Sequence, residues 1–416
     1  MDAIPFARPF IGREEEEAVL AVLRSGWLTT GKESLAFEEE FKEFLKKKLS
    51  YEKNPADIDP EEGDSEIYCM AVNSATSALH LALEAVGVKE GDIVLVPSMT
   101  FTASAEVVRY LGAEVVFVDV IKNGYLMDPL ALEESLRRLE REKPGRARAV
   151  MPVHYGGLPC DMDAINGIAQ KFGIKVVEDA AHAFPSFVPD ENNAAGGNWA
   201  GLMGDAGAYS FYATKTLTTG EGGMVLTRQK SLADRIKIMR SHGIDRNVWN
   251  RYTDTKASWY YEVVEPGFKY NIPDILSALG RVQLKRAWDL LAMREELASY
   301  YDEAFASDEH FLIPPSGKGD ARHLYPLKLN LEKLSIDRNE FAAALQQQGI
   351  GISVHYIPLH IMPYYKNRYS LKEDDFPETL KSYKRSISLP LWPGMSLAQI
   401  KRVIRVVKDL AYKYNV

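Results

Sequence analysis

Lys215 is the residue whose surroundings most clearly suggest reactive chemistry. It follows the apolar stretch AGAYSFYA, stands among hydroxyl residues in ATKTLTT, and precedes the glycines at 220, 222 and 223. Most lysines of a protein are solvated, but this one does not lie on the polar face of a helix. A lysine in a partly desolvated pocket loses pKa and can form an imine with an aldehyde. The sequence therefore predicts that Lys215 forms a Schiff base.

A second polar group follows the strand-like run IKVV, where Glu178 and Asp179 are followed by His182. Apolar residues flank this group, so it does not have the pattern of a solvated charged surface. A carboxylate buried at such a point needs a cationic partner. The protonated nitrogen of a pyridine ring would be one. A metal ion or a structural ion pair are alternatives that the sequence leaves open.

A third group, Asn73 to Thr76, lies between the run IYCMAV and the helical pattern SATSALHLAL. Small residues let the backbone close on a ligand, and the free N–H groups of a helix N-terminus attract an anion such as phosphate. Ser74 or Thr76 could equally be an ordinary N-cap.

The strands and helices that position these groups are predicted from the apolar patterns of the sequence. From Ile67 onward, short apolar runs alternate with helical stretches, and the runs are IYCMAV, DIVLVP, EVVFVDV, ARAVMPVHY, IKVVEDA, AGAYSFYA and GGMVLT. This alternation predicts a mainly parallel α/β sheet, which binds its ligand at the carboxyl ends of its strands. After about residue 240 long helical patterns and a few strand-like runs predict a smaller α+β unit. We expect a large domain over 1–250 and a small one over 251–416.

Composition excludes several other classes of protein. The formal net charge of −8 argues against nucleic acid as a main partner, because that role needs a basic face. No run approaches the roughly 20 apolar residues that span a bilayer, and the N-terminus lacks the pattern of a secretory signal. Cys69 and Cys160 have no metal-binding spacing, and we expect no metal. The sequence predicts a cytoplasmic protein without a membrane partner.

The order and spacing of the motifs resemble those of one family. The motifs are NSATSALHLAL, VPSMTFTASAE, VHYGGLPCDMDAI, VEDAAHA, SFYATKTLTTGEGGMV, GFKYNIPDILSALGRVQL and ISVHYIPLH. Together they resemble the DegT/DnrJ/EryC1/StrS sugar aminotransferases, from Gly26 and Trp27 to the final helix. The resemblance implies the fold-type I architecture of enzymes that use pyridoxal 5'-phosphate (PLP): a large domain with a mainly parallel mixed sheet flanked by helices, and a smaller C-terminal α+β domain.

The resemblance also implies roles for individual residues. Lys215 would carry PLP as a Schiff base and move the proton during amine transfer. Asp179 would keep the ring nitrogen of PLP protonated, so that the ring can accept electrons. His182 would lie near the ring hydroxyl, although a purely structural histidine is the alternative. Phe101 takes the position of the aromatic residue that stacks on the ring.

The phosphate of PLP would be held by Ser74, Ala75, Thr76 and Ser210. Asn271 matches the asparagine that reaches the phosphate from the neighbouring subunit, which implies a homodimer with shared active sites. Ala75 stands where many relatives have glycine. The segments 51–66 and 185–204 are longer than usual in the family. The sequence gives no role for either, although the second lies close enough to the site to touch substrate.

The implied reaction transfers an amino group from glutamate, which becomes 2-oxoglutarate, to a ketone of a nucleotide-linked sugar. The form GFKYN-x-x-DI resembles the branch that aminates C4. Candidate contacts with the sugar or its diphosphate are His355, Tyr356, Arg240, His242 and Arg246, any of which could instead be structural. A C3-specific aminotransferase and a non-catalytic, regulatory PLP-binding protein are the alternatives. Lys215 argues against a sugar dehydratase, since those relatives have histidine in its place.

Overall fold

The largest element of the structure is a seven-stranded mixed sheet. The structure, a computed structural model, describes residues 2–46, 66–190, 193–245, 261–317 and 319–416. The order of the strands across the sheet is β1-β9-β8-β5-β4-β2-β3. These strands are β1 (Tyr68–Val72), β2 (Ile93–Pro97), β3 (Glu114–Val118), β4 (Ala147–Val150), β5 (Lys175–Asp179), β8 (Ala206–Ser210) and β9 (Gly223–Thr227).

Six strands of this sheet run in one direction and β9 runs against them, because β9 pairs antiparallel with both β1 and β8. The remaining neighbours pair in parallel. Every residue of β2, β8 and β9 is buried, as expected of a sheet covered on both faces. The seven apolar runs of the sequence are the seven strands, and the predicted mainly parallel α/β fold is confirmed.

Helices cover both faces of this sheet and precede it. They are α1 (Arg13–Ser25), α2 (Lys32–Lys46), α3 (Ala75–Ala85), α4 (Ala103–Tyr110), α5 (Pro129–Glu142), α6 (Met162–Phe172) and α7 (Lys230–Met239). Helix α1 ends at Gly26, whose positive φ of 72° favours glycine. The apolar sides of α3, α4 and α7 form one core with β1, β2 and β8.

The long segment 185–204 forms a hairpin of β6 (Phe187–Asp190) and β7 (Asn193–Trp199). The ring of Phe187 contacts that of Trp199 at 5.0 Å, edge to face. The indole N–H of Trp199 donates to the carbonyl of Leu45 at 2.7 Å. The base of the hairpin is therefore part of the core beside α2. The segment 51–66 lies outside the described residues except for Glu66.

The C-terminal part contains α8 (Asp274–Lys285), α9 (Ala287–Phe305), α10 (Arg338–Gln347), α11 (Pro363–Tyr369), α12 (Pro377–Arg385) and α13 (Leu397–Lys413). Arg286 separates α8 from α9. Strands β10 (Phe311–Leu312), β11 (Tyr325–Leu329) and β12 (Ser386–Leu389) form a three-stranded antiparallel sheet.

The two ends of the chain meet in this C-terminal part. Ile4 forms a parallel bridge with Ile350 and belongs to a core built otherwise from residues 297–411. The predicted domain boundary at residues 250 and 251 lies outside the described residues and stays a prediction. Among the helices described, none is long and apolar enough to cross a membrane.

Candidate active site

A cavity of about 570 Å³ opens where the carboxyl ends of β1, β5 and β8 meet the start of β9. This size suits a small-molecule site, since such pockets span roughly 300–1,000 Å³. Its wall includes the following residues that the sequence singled out: Ser74, Ala75, Thr76, Phe101, Asp179, His182, Ser210, Lys215, His355 and Tyr356. The tertiary structure therefore brings together side chains that are as much as 282 positions apart in sequence (356 − 74).

Lys215 lies in the turn after β8 and points its amine into this cavity. Its backbone N–H donates to the carbonyl of Tyr212 at 2.9 Å, which fixes the turn. Its Nζ lies 3.5 Å from Nε2 of His323. Burial, together with the positive charge of Arg294, lowers the pKa of Lys215 to about 7, although the negative charge of Asp179 acts to raise it. A neutral amine is a nucleophile and a base, so the site prepares Lys215 for both roles.

Asp179, the last residue of β5, is 5% exposed and faces the same cavity. Its Oδ2 accepts a hydrogen bond from Oγ of Ser104 at 2.6 Å, and its Oδ1 accepts one from the backbone N–H of Ala181 at 3.1 Å. Burial raises the pKa of Asp179 although both hydrogen bonds and the charge of Lys215 lower it. A carboxylate held in this way is suited to pair with a cationic group that enters the cavity.

Glu178, beside Asp179 in sequence, faces the other side of the sheet and has a different function. Its Oε2 accepts from Nε2 of His154 and from the N–H of Gly201, each at 2.8 Å. Its Oε1 accepts from the N–H groups of Met203 and Gly204, each at 2.6 Å. Glu178 thus anchors the return of the 185–204 segment. The two adjacent acids divide into one cavity residue and one structural residue.

His182 lies on the cavity wall, held between two partners. Its Nδ1 accepts the N–H of Gly156 at 3.2 Å, so the ring proton is assigned to Nε2, which lies 2.8 Å from the hydroxyl of Tyr356. Burial, with the charges of Lys215 and His355, holds the pKa of His182 well below its usual value. His182 is therefore a neutral hydrogen-bonding group stacked on Tyr356, with ring centroids 5.9 Å apart.

The end of the cavity at α3 has the features of an anion site. Ser74 is the N-cap of α3, with Oγ accepting the N–H of Ser77 at 3.1 Å, so the N-cap alternative holds for this residue. Ala75 and Thr76 occupy the first two helical positions, whose N–H groups have no acceptor within the helix. A Cβ added at Gly223 would lie 2.6 Å from the Ser74 carbonyl, so only glycine allows this close approach.

Two further predicted contacts lie on the same wall. Phe101 follows β2 and is 54% exposed, which leaves much of its ring open; its centroid is 5.6 Å from that of Tyr356. His355 forms a hydrogen bond through Nδ1 to Oγ of Ser388 at 2.8 Å. Burial, with the charge of Lys215, lowers the pKa of His355 to about 3, so this imidazole is neutral.

Other predicted contacts do not reach this cavity within the chain. Arg240 forms an ion pair with Glu38 and donates to the carbonyl of Ala71 at 2.9 Å, so it has structural partners in this chain and its substrate contact stays a prediction. His242 lies next to Arg240 and is not on the cavity wall. Arg246 lies outside the described residues. The described part of segment 185–204 does not line the cavity either.

Asn271 pairs with Val72 at the edge of the sheet, and its Nδ2 donates to Oγ of Thr30 at 2.5 Å. The contact of Asn271 with the phosphate in the neighbouring subunit stays a prediction. Across the described ranges, no group of three or more histidine, cysteine, aspartate or glutamate side chains is arranged to hold a metal ion.

Two buried residues of the C-terminal part belong to the site and were missed in the sequence. His323 lines the cavity beside Lys215, and Arg294 of α9 donates to the carbonyl of His323 at 3.2 Å. A histidine just before the apolar run LYPLKLNL was the available signal for His323. Arg294 has the spacing of an ordinary helix residue, so no local signal could have identified it.

Comparisons with known proteins confirm the resemblance. The model of the DegT/DnrJ/EryC1/StrS aminotransferase family matches residues 9–52 and 64–408, and the chain belongs to this family. It is 42% identical over 411 residues to the spore coat polysaccharide biosynthesis protein SpsC of Bacillus subtilis, covering 98% of this chain and 97% of SpsC.

Solved structures agree with this assignment. PseC of Helicobacter pylori, an aminotransferase involved in the biosynthesis of pseudoaminic acid, has a TM-score of 0.83 at 28% identity and covers 99% of this chain and 100% of its own. Spr1654 of Streptococcus pneumoniae, in its PMP form, has a TM-score of 0.83 at 28% identity over 99% of both chains, and it is also known in a PLP form. The fold is that of the fold-type I aminotransferases, and PLP is the cofactor.

The residues present fit PLP. A buried amine faces the cavity, a buried carboxylate stands on its wall, and a helix N-terminus with a close-packed glycine closes one end. The amine can react with an aldehyde, the carboxylate can accept a hydrogen bond from a protonated ring nitrogen, and the backbone N–H groups can donate to a phosphate.

Proposed function

We propose that this aminotransferase moves an amino group from glutamate to C4 of a nucleotide-linked keto sugar. The observation that carries the amine-transfer chemistry is the amine of Lys215, whose pKa burial lowers to about 7, in one cavity with the buried carboxylate of Asp179. Bound PLP supplies a ring that withdraws electrons from the carbon that loses a proton. Lys215, Asp179 and Phe101 would hold that ring, and Ala75, Thr76 and Ser210 its phosphate.

Lys215 has the properties needed to move the proton in both halves of the reaction. Its amine is the only basic nitrogen on the described cavity wall other than the histidines, all of which burial keeps neutral. A base works best when its pKa lies near the working pH, and about 7 meets this condition. The neighbouring Asp179 is held by Ser104 and Ala181, so it can keep a fixed negative charge opposite a protonated ring.

The sugar assignment is supported by the neutral polar wall opposite α3. His323, Ser353, His355 and Tyr356 line it, and neutral donors and acceptors match the hydroxyls of a sugar. SpsC is named for polysaccharide biosynthesis and PseC for pseudoaminic acid biosynthesis. The C4 position rests on the GFKYN-x-x-DI motif and the nucleotide on the family resemblance, and the cytoplasmic location stays a prediction with them.

The substrate is tested with two half-reactions. Glutamate added to the PLP-loaded protein should bleach its visible absorbance and yield 2-oxoglutarate. The bleached protein is then mixed with a panel of 4-keto and 3-keto nucleotide sugars, and the returning absorbance is followed. We expect the 4-keto sugars to restore it, with NMR of the product placing the amine at C4. Restoration by 3-keto sugars alone would replace C4 with C3, and no bleaching by any amino donor would favour a regulatory role.

We also propose a homodimer in which Asn271 of each subunit completes the site of the other. Asn271 does not line the cavity of its own subunit. The hydroxyl of Thr30 donates to the carbonyl of Ile272 and accepts from Nδ2 of Asn271, which fixes the Asn271 amide. One N–H of the amide is left for a further acceptor. The side-chain carbonyl of Asn271 accepts from Nζ of Lys269, which holds the other side of the amide.

Shared sites are tested by mixing two inactive variants. Asn271→Ala and Lys215→Ala are unfolded and refolded together, so that mixed dimers contain one site with both residues intact. Activity should return to roughly a quarter of the wild-type value, because half of the dimers are mixed and each has one complete site. No recovery in a preparation that forms dimers would show that Asn271 acts within its own subunit.

A further inference from the structure

His323 is placed so that it contacts the reactive amine directly. It is 5% exposed, stands just before β11, and lines the cavity. Its Nε2 lies 3.5 Å from Nζ of Lys215, at the long end of hydrogen bonding. Such contacts are often long before substrate binds and shorten in the reacting complex. Its Nδ1 is buried and has no hydrogen-bond partner among the described residues. The ring thus has one polar contact, and that contact is Lys215.

Arg294 of α9 fixes the backbone on both sides of this pair. It is 2% exposed and donates to the carbonyl of His323 at 3.2 Å and to that of Leu391 at 2.9 Å. Its second terminal nitrogen, Nη2, donates to the carbonyl of Thr214, the residue before Lys215, at 3.5 Å. A planar guanidinium holds such acceptors in a fixed geometry. One side chain therefore sets the separation between the backbones of His323 and Lys215.

The imidazole of His323 is neutral. Burial holds its pKa well below the usual value, and Lys215, His182, Arg294 and His355 add to this effect. A neutral imidazole has one donor and one acceptor nitrogen, and the proton can be on either of them. With its proton on Nδ1, His323 can accept from Lys215 through Nε2 whether the lysine is an ammonium ion or a neutral amine, because both forms carry N–H groups.

We propose that His323 is a positioning residue that holds the free amine of Lys215 in place through both of its protonation states. The proposal rests on the proposed amine-transfer function, in which Lys215 must take up and release a proton in each half-reaction. Without this partner the flexible four-carbon side chain would have to find its reacting position each time, at an entropic cost. His323 itself takes no proton from substrate. Its own proton stays on Nδ1 while the lysine changes charge.

The first test compares His323→Leu with His323→Gln in the glutamate half-reaction. Leucine removes the hydrogen bond, and we expect the half-reaction to slow roughly ten- to hundredfold, as for a bond to a charged group. The primary isotope effect with α-deuterated glutamate should rise, because proton transfer becomes slower relative to the other steps. Glutamine can both accept and donate, so it should recover much of the rate and restore the isotope effect.

The matched control is His80→Gln. His80 is also a buried histidine with one unpartnered ring nitrogen, but it lies outside the cavity. We expect its isotope effect to match the wild type. If His323→Leu lowers only PLP content and thermal stability and leaves the isotope effect unchanged, His323 is merely a wall residue and the proposal is wrong.

The second test does not depend on activity. The full-length protein without PLP is labelled with ¹⁵N-histidine, and the imidazole nitrogens of His323 are followed by NMR as the pH passes through about 7, the pKa of Lys215. We expect their shifts to change with the lysine's titration and to stay flat in Lys215→Met. Identical behaviour in the two proteins would overturn the proposal. If the wild type fails to react with glutamate while the shifts still follow Lys215, the contact stands and the proposed function fails.

Discussion

Exchanging each of the two adjacent acids, Glu178 and Asp179, for its amide should have opposite consequences. Glu178→Gln is expected to damage stability and spare the chemistry, whereas Asp179→Asn should do the reverse. Each variant is the control for the other, since both remove one carboxylate from neighbouring positions of β5 without changing side-chain size.

The cost at Glu178 follows from its hydrogen bonds. Three backbone N–H groups and the imidazole of His154 all donate to its two oxygens. The imidazole must donate through Nε2, because its Nδ1 already accepts the N–H of Cys160 at 3.0 Å. Glutamine offers one oxygen, so two buried donors would face an NH₂ group. Each unsatisfied buried donor costs about 1–3 kcal/mol, which gives about 2–6 kcal/mol in the free energy of unfolding.

Asp179→Asn should leave the fold intact. The asparagine oxygen can still accept from Ala181, and Ser104 can reverse its hydrogen bond and accept from the new amide, because its Oγ also reaches the carbonyl of Phe101 at 3.3 Å. Since burial raises the folded-state pKa of Asp179, its contribution to stability falls as the pH rises above the unfolded value. Without PLP, the variant should therefore be at least as stable as the wild type at neutral pH.

The two variants are compared by urea unfolding, followed by circular dichroism, and by the glutamate half-reaction per folded molecule. We expect Glu178→Gln to lose much of the stability, since whole proteins have only about 5–15 kcal/mol, yet to react within a few-fold of the wild type. Asp179→Asn should slow the half-reaction by more than roughly a hundredfold, the scale of a lost electrostatic contact in a site. Equal stability of Glu178→Gln and wild type, or near-normal amine transfer by Asp179→Asn, would refute this reasoning.

Three more predictions follow from the same site. The rate at which PLP attaches to the PLP-free protein should rise as the pH passes about 7 and then level off, because only the neutral amine of Lys215 attacks. Stopped-flow absorbance measures this rate, and a pH midpoint near the ordinary pKa of lysine would contradict the effect of burial. Phe101→Ala should weaken PLP binding by roughly two- to thirteenfold, the value of about 0.5–1.5 kcal/mol of ring stacking, with an unchanged urea midpoint because the ring is 54% exposed. Ser104→Ala removes the hydroxyl that donates to Asp179 and should slow the half-reaction roughly tenfold, whereas Ser299→Ala, at an exposed position on α9, should not change it.

Local patterns in the sequence were sufficient for the large sheet and for much of the cavity wall. The seven strands coincide with seven apolar runs because strands buried on both faces need continuous apolar sequence. Lys215, Asp179 and the turn at Ser74 were found because each follows such a run, and a mainly parallel sheet brings the ends of its strands to one edge.

Other features depended on contacts that no local pattern records. The alternation of a strand places Glu178 and Asp179 on opposite faces, but only the packed structure shows which face holds the cavity. The sequence could not show that Arg240 forms an ion pair with Glu38, which lies 202 positions earlier in the chain. His323 and Arg294 come from the C-terminal part, and their value lies in distances to Lys215 that a linear sequence cannot contain.

The sequence by itself therefore determined the kind of chemistry, because a lysine, an acid and an anion-binding turn supply an amine, a carboxylate and backbone N–H donors wherever the fold places them. The tertiary structure decided how these groups are tuned. Burial sets the pKa of Lys215, and four hydrogen-bond donors give Glu178 a structural role. His323 contacts the amine of Lys215, and Arg294 fixes the backbone of His323. Desolvation and hydrogen-bond geometry are properties of the folded chain, and both arise only when distant segments pack together.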